Sequence, residues 1–139
     1  MTGNALAFSA PLQAAVYNRL SGDAAITALV GNAIHDALPP GIPPALYILL
    51  GPEEVRPRSD SGGTGAAHDF TVSVITETAG FSSAKALAAS VCAALEGAAL
   101  TLSGGVVAGL WFRQSRARRL DQGNLREIAM TFRARIDAA

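Results

Sequence analysis

Apolar positions change period several times along the chain, and each change marks an element. Leu12, Ala15, Val16 and Leu20 recur at helical spacing behind a start signal in which Ser9 offers a capping hydroxyl and Pro11 occupies the first turn; Ser21-Gly22 stops the run. Asp23 is placed to cap a second short helix through Ile26, Leu29 and Val30, ended by Gly31. The longest helical pattern starts at Ser82 or Ser83 as its cap and runs to about Glu96, with Ala84, Leu87, Ala88, Val91, Cys92 and Leu95 on one face and Gly97 as its stop.

Elsewhere the period is two or absent. A short strand is predicted around Ile34–Leu38, and Ala45–Leu50 is an almost wholly apolar run of the kind covered on both sides. His68–Thr78 alternates, with Phe70, Val72, Val74 and Thr76 on one face and Asp69, Thr71, Ser73 and Glu77 on the other. Two closing strands run from Val106 to about Arg116 and from Leu125 to about Ile136; the second puts Ile128, Met130, Phe132, Ala134 and Ile136 opposite Thr131, Arg133 and Arg135. Ser115–Asn124 carries turn residues and predicts a hairpin between them.

Pro39–Pro44 holds four prolines and reads as a stiff extended connector. Between Gly51 and Ala67 apolar content collapses to Val55 and two alanines, and Ser59–Gly65 has the composition of a flexible loop. The order of elements predicts an α+β fold: an antiparallel sheet of about four to five strands with two to three helices packed on one face. A single domain over residues 1–139 is expected, with the leader 1–8 and the loop 53–67 flexible.

Half the residues are hydrophobic and 16% are charged, enough apolar material for a core without disulfides. Cys92 is the only cysteine, which excludes an intramolecular disulfide and a multi-cysteine zinc site and reads as a small core residue. No signal peptide is expected, since the first positive charge is Arg19. Ala86–Phe112 has Glu96 as its only charge, but its glycines and alanines read as helix, turn and strand rather than a membrane span.

The zero net charge hides a division. Residues 1–112 carry four basic against eight acidic side chains, a net of −4, while residues 113–139 carry seven arginines against Asp121, Glu127 and Asp137, a net of +4. The arginine ribbon comprises Arg113, Arg116, Arg118 and Arg119 with Arg126, Arg133 and Arg135 on the returning strand. The absence of lysine favours planar, bidentate contacts to carboxylates or phosphates. Three readings stand: a solvated hairpin, salt bridges to another protein, or contact with nucleic acid.

Candidate catalytic chemistry is sparse. Asp60-Ser61-Gly62-Gly63 matches the tetrapeptide around a chymotrypsin-like nucleophile, but only His35 and His68 are available as bases and the serine sits in a glycine-rich stretch, whereas a triad is defined by convergent geometry. Gly63-Thr64-Gly65 lacks the third glycine of a dinucleotide fingerprint. His35 reads as a strand-edge residue and His68 as the start of a strand; with Cys92 and scattered carboxylates they show no metal-ligand spacing. Glu53-Glu54 reads as a solvated pair, and Trp111 and Phe112 fall on opposite faces of a strand, one in the core and one at a surface or interface. No enzyme, cofactor or metal is expected.

Leu12–Tyr17, leading through Arg19–Ile26 to Ala28-Leu29-Val30-Gly31 and Ile34-His35-Asp36, resembles the opening of the tail terminator, or tail-completion, proteins of long-tailed phages and gene transfer agents. Pro44–Gly51 resembles that family's buried strand ending in glycine, Gly80–Leu87 the start of its long helix, and the arginine-rich hairpin its closing strands. The similarity spans roughly residues 10–137 and lies in the order and spacing of the segments rather than in one motif.

The resemblance implies a non-enzymatic virion protein of the tail or neck, assembled in the host cytoplasm: a homo-hexamer capping the tail tube, touching the tail tube protein and a head-side stopper or adaptor. DNA would pass through its channel without sequence-specific binding, and no membrane is involved. The expected interaction residues are Arg113, Arg116, Arg118, Arg119, Arg133 and Arg135 with Glu53, Glu54, Arg56, Arg58 and Asp60. The alternatives are another neck ring protein, a stopper or adaptor, or a small nucleic-acid-binding protein using the Arg113–Arg135 hairpin.

Overall fold

The computed structural model describes residues 5–37, 40–41, 43–58 and 65–138. Three helices, α1 (Ser9–Ser21), α2 (Ala24–Val30) and α3 (Ser82–Leu95), accompany six strands: β1 (Ile34–His35), β2 (Leu46–Arg58), β3 (Gly65–Thr76), β4 (Thr101–Leu102), β5 (Gly105–Leu120) and β6 (Leu125–Ala138). All six strands form one sheet in the order β1-β2-β3-β6-β5-β4. The α+β class holds, but the sheet has six strands rather than four to five, and it is mixed rather than antiparallel, because β1 runs parallel to β2. The difference comes from β1 and β4, two residues each. A two-residue strand has no period for a sequence to display, and it exists through its backbone bonds to a neighbour.

The helix ends follow local chemistry only in part. Asp23 caps α2 as expected, accepting a 3.0 Å hydrogen bond from the Ile26 amide. Ser9 and Ser82 instead lie inside the first turns of α1 and α3, whose N-cap positions are Phe8 and Phe81, and no side chain caps either helix. Aromatic packing sets these starts. A Cβ on Gly105 would stand 2.7 Å from the Phe8 ring, so Phe8 packs across β5 where that glycine leaves room. Residues 1–4 of the expected flexible leader lie outside the described residues, as do Leu38, Pro39 and Ile42 of the expected strand end and proline connector.

The expected loop at 53–67 needs correction at its two ends, while its middle, 59–64, lies outside the described residues. Residues 53–58 continue β2 and 65–67 begin β3, paired from Glu53↔Phe70 to Arg58↔Gly65 beyond a bulge between Leu50 and Glu53. Gly51–Glu54 and Arg56–Arg58 are exposed, so this half of β2 shows no buried alternation and is held as strand by its ladder to β3. Likewise β5 runs on to Leu120, which places Arg116, Arg118 and Arg119 in the strand, and the turn shrinks to a 3-10 turn at Asp121–Gly123.

β6 is the central strand, paired along its length with β3 on one side and β5 on the other. Its even-numbered residues from Ile128 to Ile136 are buried in the main core with Ile48, Leu50, Phe70, Val72 and Val74. Leu12, Val16 and Leu20 of α1 and Leu87, Val91 and Leu95 of α3 complete that core, which defines the helix face of the sheet. Phe70, Phe132 and Phe112 form one row across three strands: Phe132 stacks on Phe70 at 5.7 Å and meets Phe112 edge-on at 5.7 Å. No helix among the described residues is long and apolar enough to cross a membrane.

Phe132 is fully buried at the middle of this row. Replacing it with alanine removes two ring contacts and leaves a cavity, so Phe132→Ala is expected to cost about 3–5 kcal/mol, read as a lower urea midpoint at unchanged slope. A loss below about 1 kcal/mol would show that this row does not anchor the core.

Candidate assembly surface

Strand parity sorts the charges. Across the register, Arg56 and Arg58 on β2, Asp69 on β3, Arg133, Arg135 and Asp137 on β6, and Gln114, Arg116 and Arg118 on β5 share the face away from the helices. Arg113, displaced by a bulge between Phe112 and Gln114, reaches the same face and lowers the Asp69 pKa through its charge. Seven of the eleven basic side chains thus lie on one sheet face, with Glu54, Asp69, Glu127 and Asp137 as its carboxylates. The charge division that runs along the sequence becomes, in three dimensions, a division between faces.

Most of these arginines already hold a carboxylate. Arg133 makes a bidentate pair with Asp69, Nε to Oδ1 at 2.7 Å and Nη2 to Oδ2 at 2.9 Å, with both side chains largely buried. Arg56 lies 3.6 Å from the same carboxylate and 3.2 Å from Glu54. Arg118 donates to Glu127 at 2.7 Å, and Arg135 donates to Asp137 at 3.3 Å and to the Arg58 carbonyl at 3.2 Å. The hydrogen bonds from Arg133 hold the Asp69 carboxyl below its ordinary range and raise the guanidinium's own pKa. The Tyr47 hydroxyl is pushed up by burial and, second, by the Glu127 charge. Arg116 is exposed and makes no ion pair among the described residues.

Not every expected residue joins this surface. Arg119 lies on the helix face with its guanidinium 5.7 Å from the Phe81 ring, and Arg126 donates to the Gly123 carbonyl. Glu53 also turns to the helix face, where its carboxylate meets Nδ1 of fully buried His68 at 3.1 Å. His68 is therefore the fourth residue of β3 and a core group, not a strand start with an available ring. Asp60 and the neighbouring Ser61 lie outside the described residues. Among the described residues no cluster of histidine, cysteine, aspartate and glutamate is arranged to hold a metal ion. Burial and, second, the Glu96 charge raise the Cys92 thiol pKa, which keeps it protonated.

Asp69, Glu127 and Asp137 emerge as partners that sequence reasoning does not select. The alternation of 68–78 places Asp69 outward, but its partner on β6 is visible only once the register is known. A depression of about 390 Å³ opens on this face, lined by Glu54, Asp69, Thr71, Arg113, Gln114 and Thr131. Beside Arg133, Trp111 lies across Gly109, where an added Cβ would meet the indole at 2.7 Å, and keeps 39% of its surface exposed. An exposed tryptophan among arginines has the composition of an interface anchor. The surface can therefore dock a protein through ion pairs and one aromatic contact, while its own carboxylates reduce its attraction for a polyanion.

The chain matches the family described as tail completion protein gp17 over residues 14–137. Nothing matches among curated proteins. Among solved structures, a chain in one titled "Virion of native gene transfer agent (GTA) particle" is 52% identical, with a TM-score of 0.91, covering 95% of this chain and 98% of that chain.

Because folding lowers the Asp69 pKa, its contribution to stability is complete above the unfolded carboxylate's pKa and fades as the pH falls through the folded-state value. Asp69→Asn is expected to cost about 1–3 kcal/mol near neutral pH, by removing charge-assisted bonds and leaving Arg133 unpaired. The difference from wild type should narrow in acid, measured by urea unfolding across a pH series. A difference independent of pH would remove the ion pair as its source.

Proposed function

The chain belongs to the tail completion protein gp17 family, and from that premise we propose that it is a structural virion protein of the tail and neck that acts as the tail terminator. Copies form a ring of six on the head-proximal end of the tail tube, stop its polymerisation and offer a surface to the head-side connector. DNA passes through the central channel without sequence-specific contact. The observation that carries this reading is the near end-to-end correspondence with a chain of a gene transfer agent virion.

The geometry supports it on two counts. A closed ring needs a heterologous contact, in which one patch of each copy meets a different patch of the next. Here the sheet presents two different outer strands, β2 and β5, whose outer edges are covered only in part, β2 by β1 at Ile48 and Leu49, and β5 by β4 at Gly105 and Val106 and by Gly97 and Glu96 at Leu110 and Phe112. The arginine face also carries carboxylates in register with its guanidiniums, an arrangement suited to exchanging ion pairs with other subunits. That pairing counts against a dedicated nucleic-acid-binding protein, whose phosphate-contacting arginines need to be unspent. The reading involves no catalysis, and the burial of His68 against Glu53 removes one of the two histidines a serine nucleophile would need.

Particles produced without this chain are expected to contain tubes that overrun their normal length and remain separate from heads. Adding the purified protein to such tubes should restore capped ends, seen as a narrowed length distribution in electron micrographs. Tails of normal length joined to heads in its absence would overturn the terminator role.

A further inference from the structure

We propose that neighbouring copies in the assembly join by strand addition, the free outer edge of β5 pairing antiparallel with the free outer edge of β2 in the next copy; this rests on the ring reading above. β1 pairs only with Ile48 and Leu49 of β2, and β4 only with Gly105 and Val106 of β5. This leaves the backbone edges of Gly51–Arg58 and Gln114–Leu120 outside the sheet's own pairing. An exposed edge of this kind is a template for another chain unless it is blunted.

The two edges differ in a way that fixes the register. From Gln114 to Leu120, β5 has no bulge and no proline, so its ladder is regular. On β2, Pro52 and Pro57 lack N–H groups and bracket Glu53–Arg56, confining pairing to that short window. Continuing the sheet with all helices on one side requires open-face residues to oppose open-face residues. Within the window, placing Glu54 opposite Arg116 puts Arg56 opposite Gln114 and sets no like charges face to face. Shifting by two residues one way sets Arg56 against Arg116, and the other way sets Glu54 against Gln114 and forfeits the opposite-charge pair, so Glu54 opposite Arg116 is the register that charge favours. Among the described residues the Glu54 side chain, 75% exposed, is bound only to exposed Arg56, and Arg116 has no carboxylate of its own.

The stagger of this pairing suits a closed wall. Through the register, Glu54 lies level with Arg133 of β6, and Arg116 lies level with Ala129. The step between neighbouring copies is therefore about four residues, or roughly 13 Å along the strands, over about 19 Å across four strands. The resulting tilt of about 35° falls at the edge of the range found in closed barrels. Six copies would contribute about 24 long strands, more than the 16 to 22 that already enclose channels.

The test is a charge exchange. Arg116→Glu and Glu54→Arg each place like charges opposite in the ring, at exposed positions where the isolated fold should keep its circular dichroism and urea midpoint. Each single variant is expected to lose about tenfold or more of its binding to purified tail ends, and the double variant to recover to within about twofold of wild type. On assembled wild type, hydrogen exchange should slow at alternate amides of Gln114–Leu120. Single variants that bind normally, a double variant that stays defective, or unchanged exchange in an assembled ring would overturn strand addition and leave the ring reading standing. A wild-type chain that never assembles on tail ends would overturn both.

Discussion

The full-length pairing of β6 is the constraint on which the rest of the structure depends. It is bonded to β3 from Arg126 to Asp137 and to β5 from Leu125 to Ala138, so neither β3 nor β5 can slide without breaking its ladder to β6. Side chains alternate along a strand, and a one-residue slip would exchange Phe132 with Arg133, carrying a guanidinium into the core and the phenyl row into water. Burying a charge without its partner costs several kcal/mol, as does opening a cavity at a ring position. The core and the charged face are two sides of one register, and neither is adjustable alone.

That coupling gives the arginine face its character. Arginine is suited to planar, two-point contacts; the register supplies Arg133 with Asp69 and Arg118 with Glu127, and the alternation of β6 itself places Asp137 beside Arg135. A face so arranged is rigid and only moderately positive. Arg116 and the exposed Glu54–Arg56 pair stand at the two open edges, where a neighbour can reach them. The helices occupy the opposite face and leave the charged one uncovered, as a subunit must if it is to build a continuous wall.

Much of this is legible in the sequence. The helical spacing of Leu12–Leu20 and Ala84–Leu95 and the alternation of 68–78 and 125–136 correspond to α1, α3, β3 and β6; α1, α3 and β6 each bury one regular face, while β3 is buried on both, Ser73 and Ile75 included. The family resemblance, resting on the order of these segments, agrees with the family match over residues 14–137. Illegible parts share one cause: their structure comes from partners elsewhere in the chain. β1 and β4 are too short to show a period, and the outer half of β2 is strand because β3 lies beside it. Ser9 and Ser82 look like caps until Phe8 and Phe81 set the helix starts. Arg119 and Arg126 look like members of the ribbon until the parity of β5 and β6 turns them to the helix face.

The central claim is that different edges of identical copies meet and close a ring. Disulfide trapping tests it most directly, since opposed residues on paired strands lie within the Cα separation a disulfide needs. In a Cys92→Ser background, Glu54→Cys with Arg116→Cys on assembled tail ends should give, on oxidation, a ladder of species rising from dimer and ending at hexamer. A product that stops at dimer, or the absence of any cross-link in assembled tails, would contradict the account.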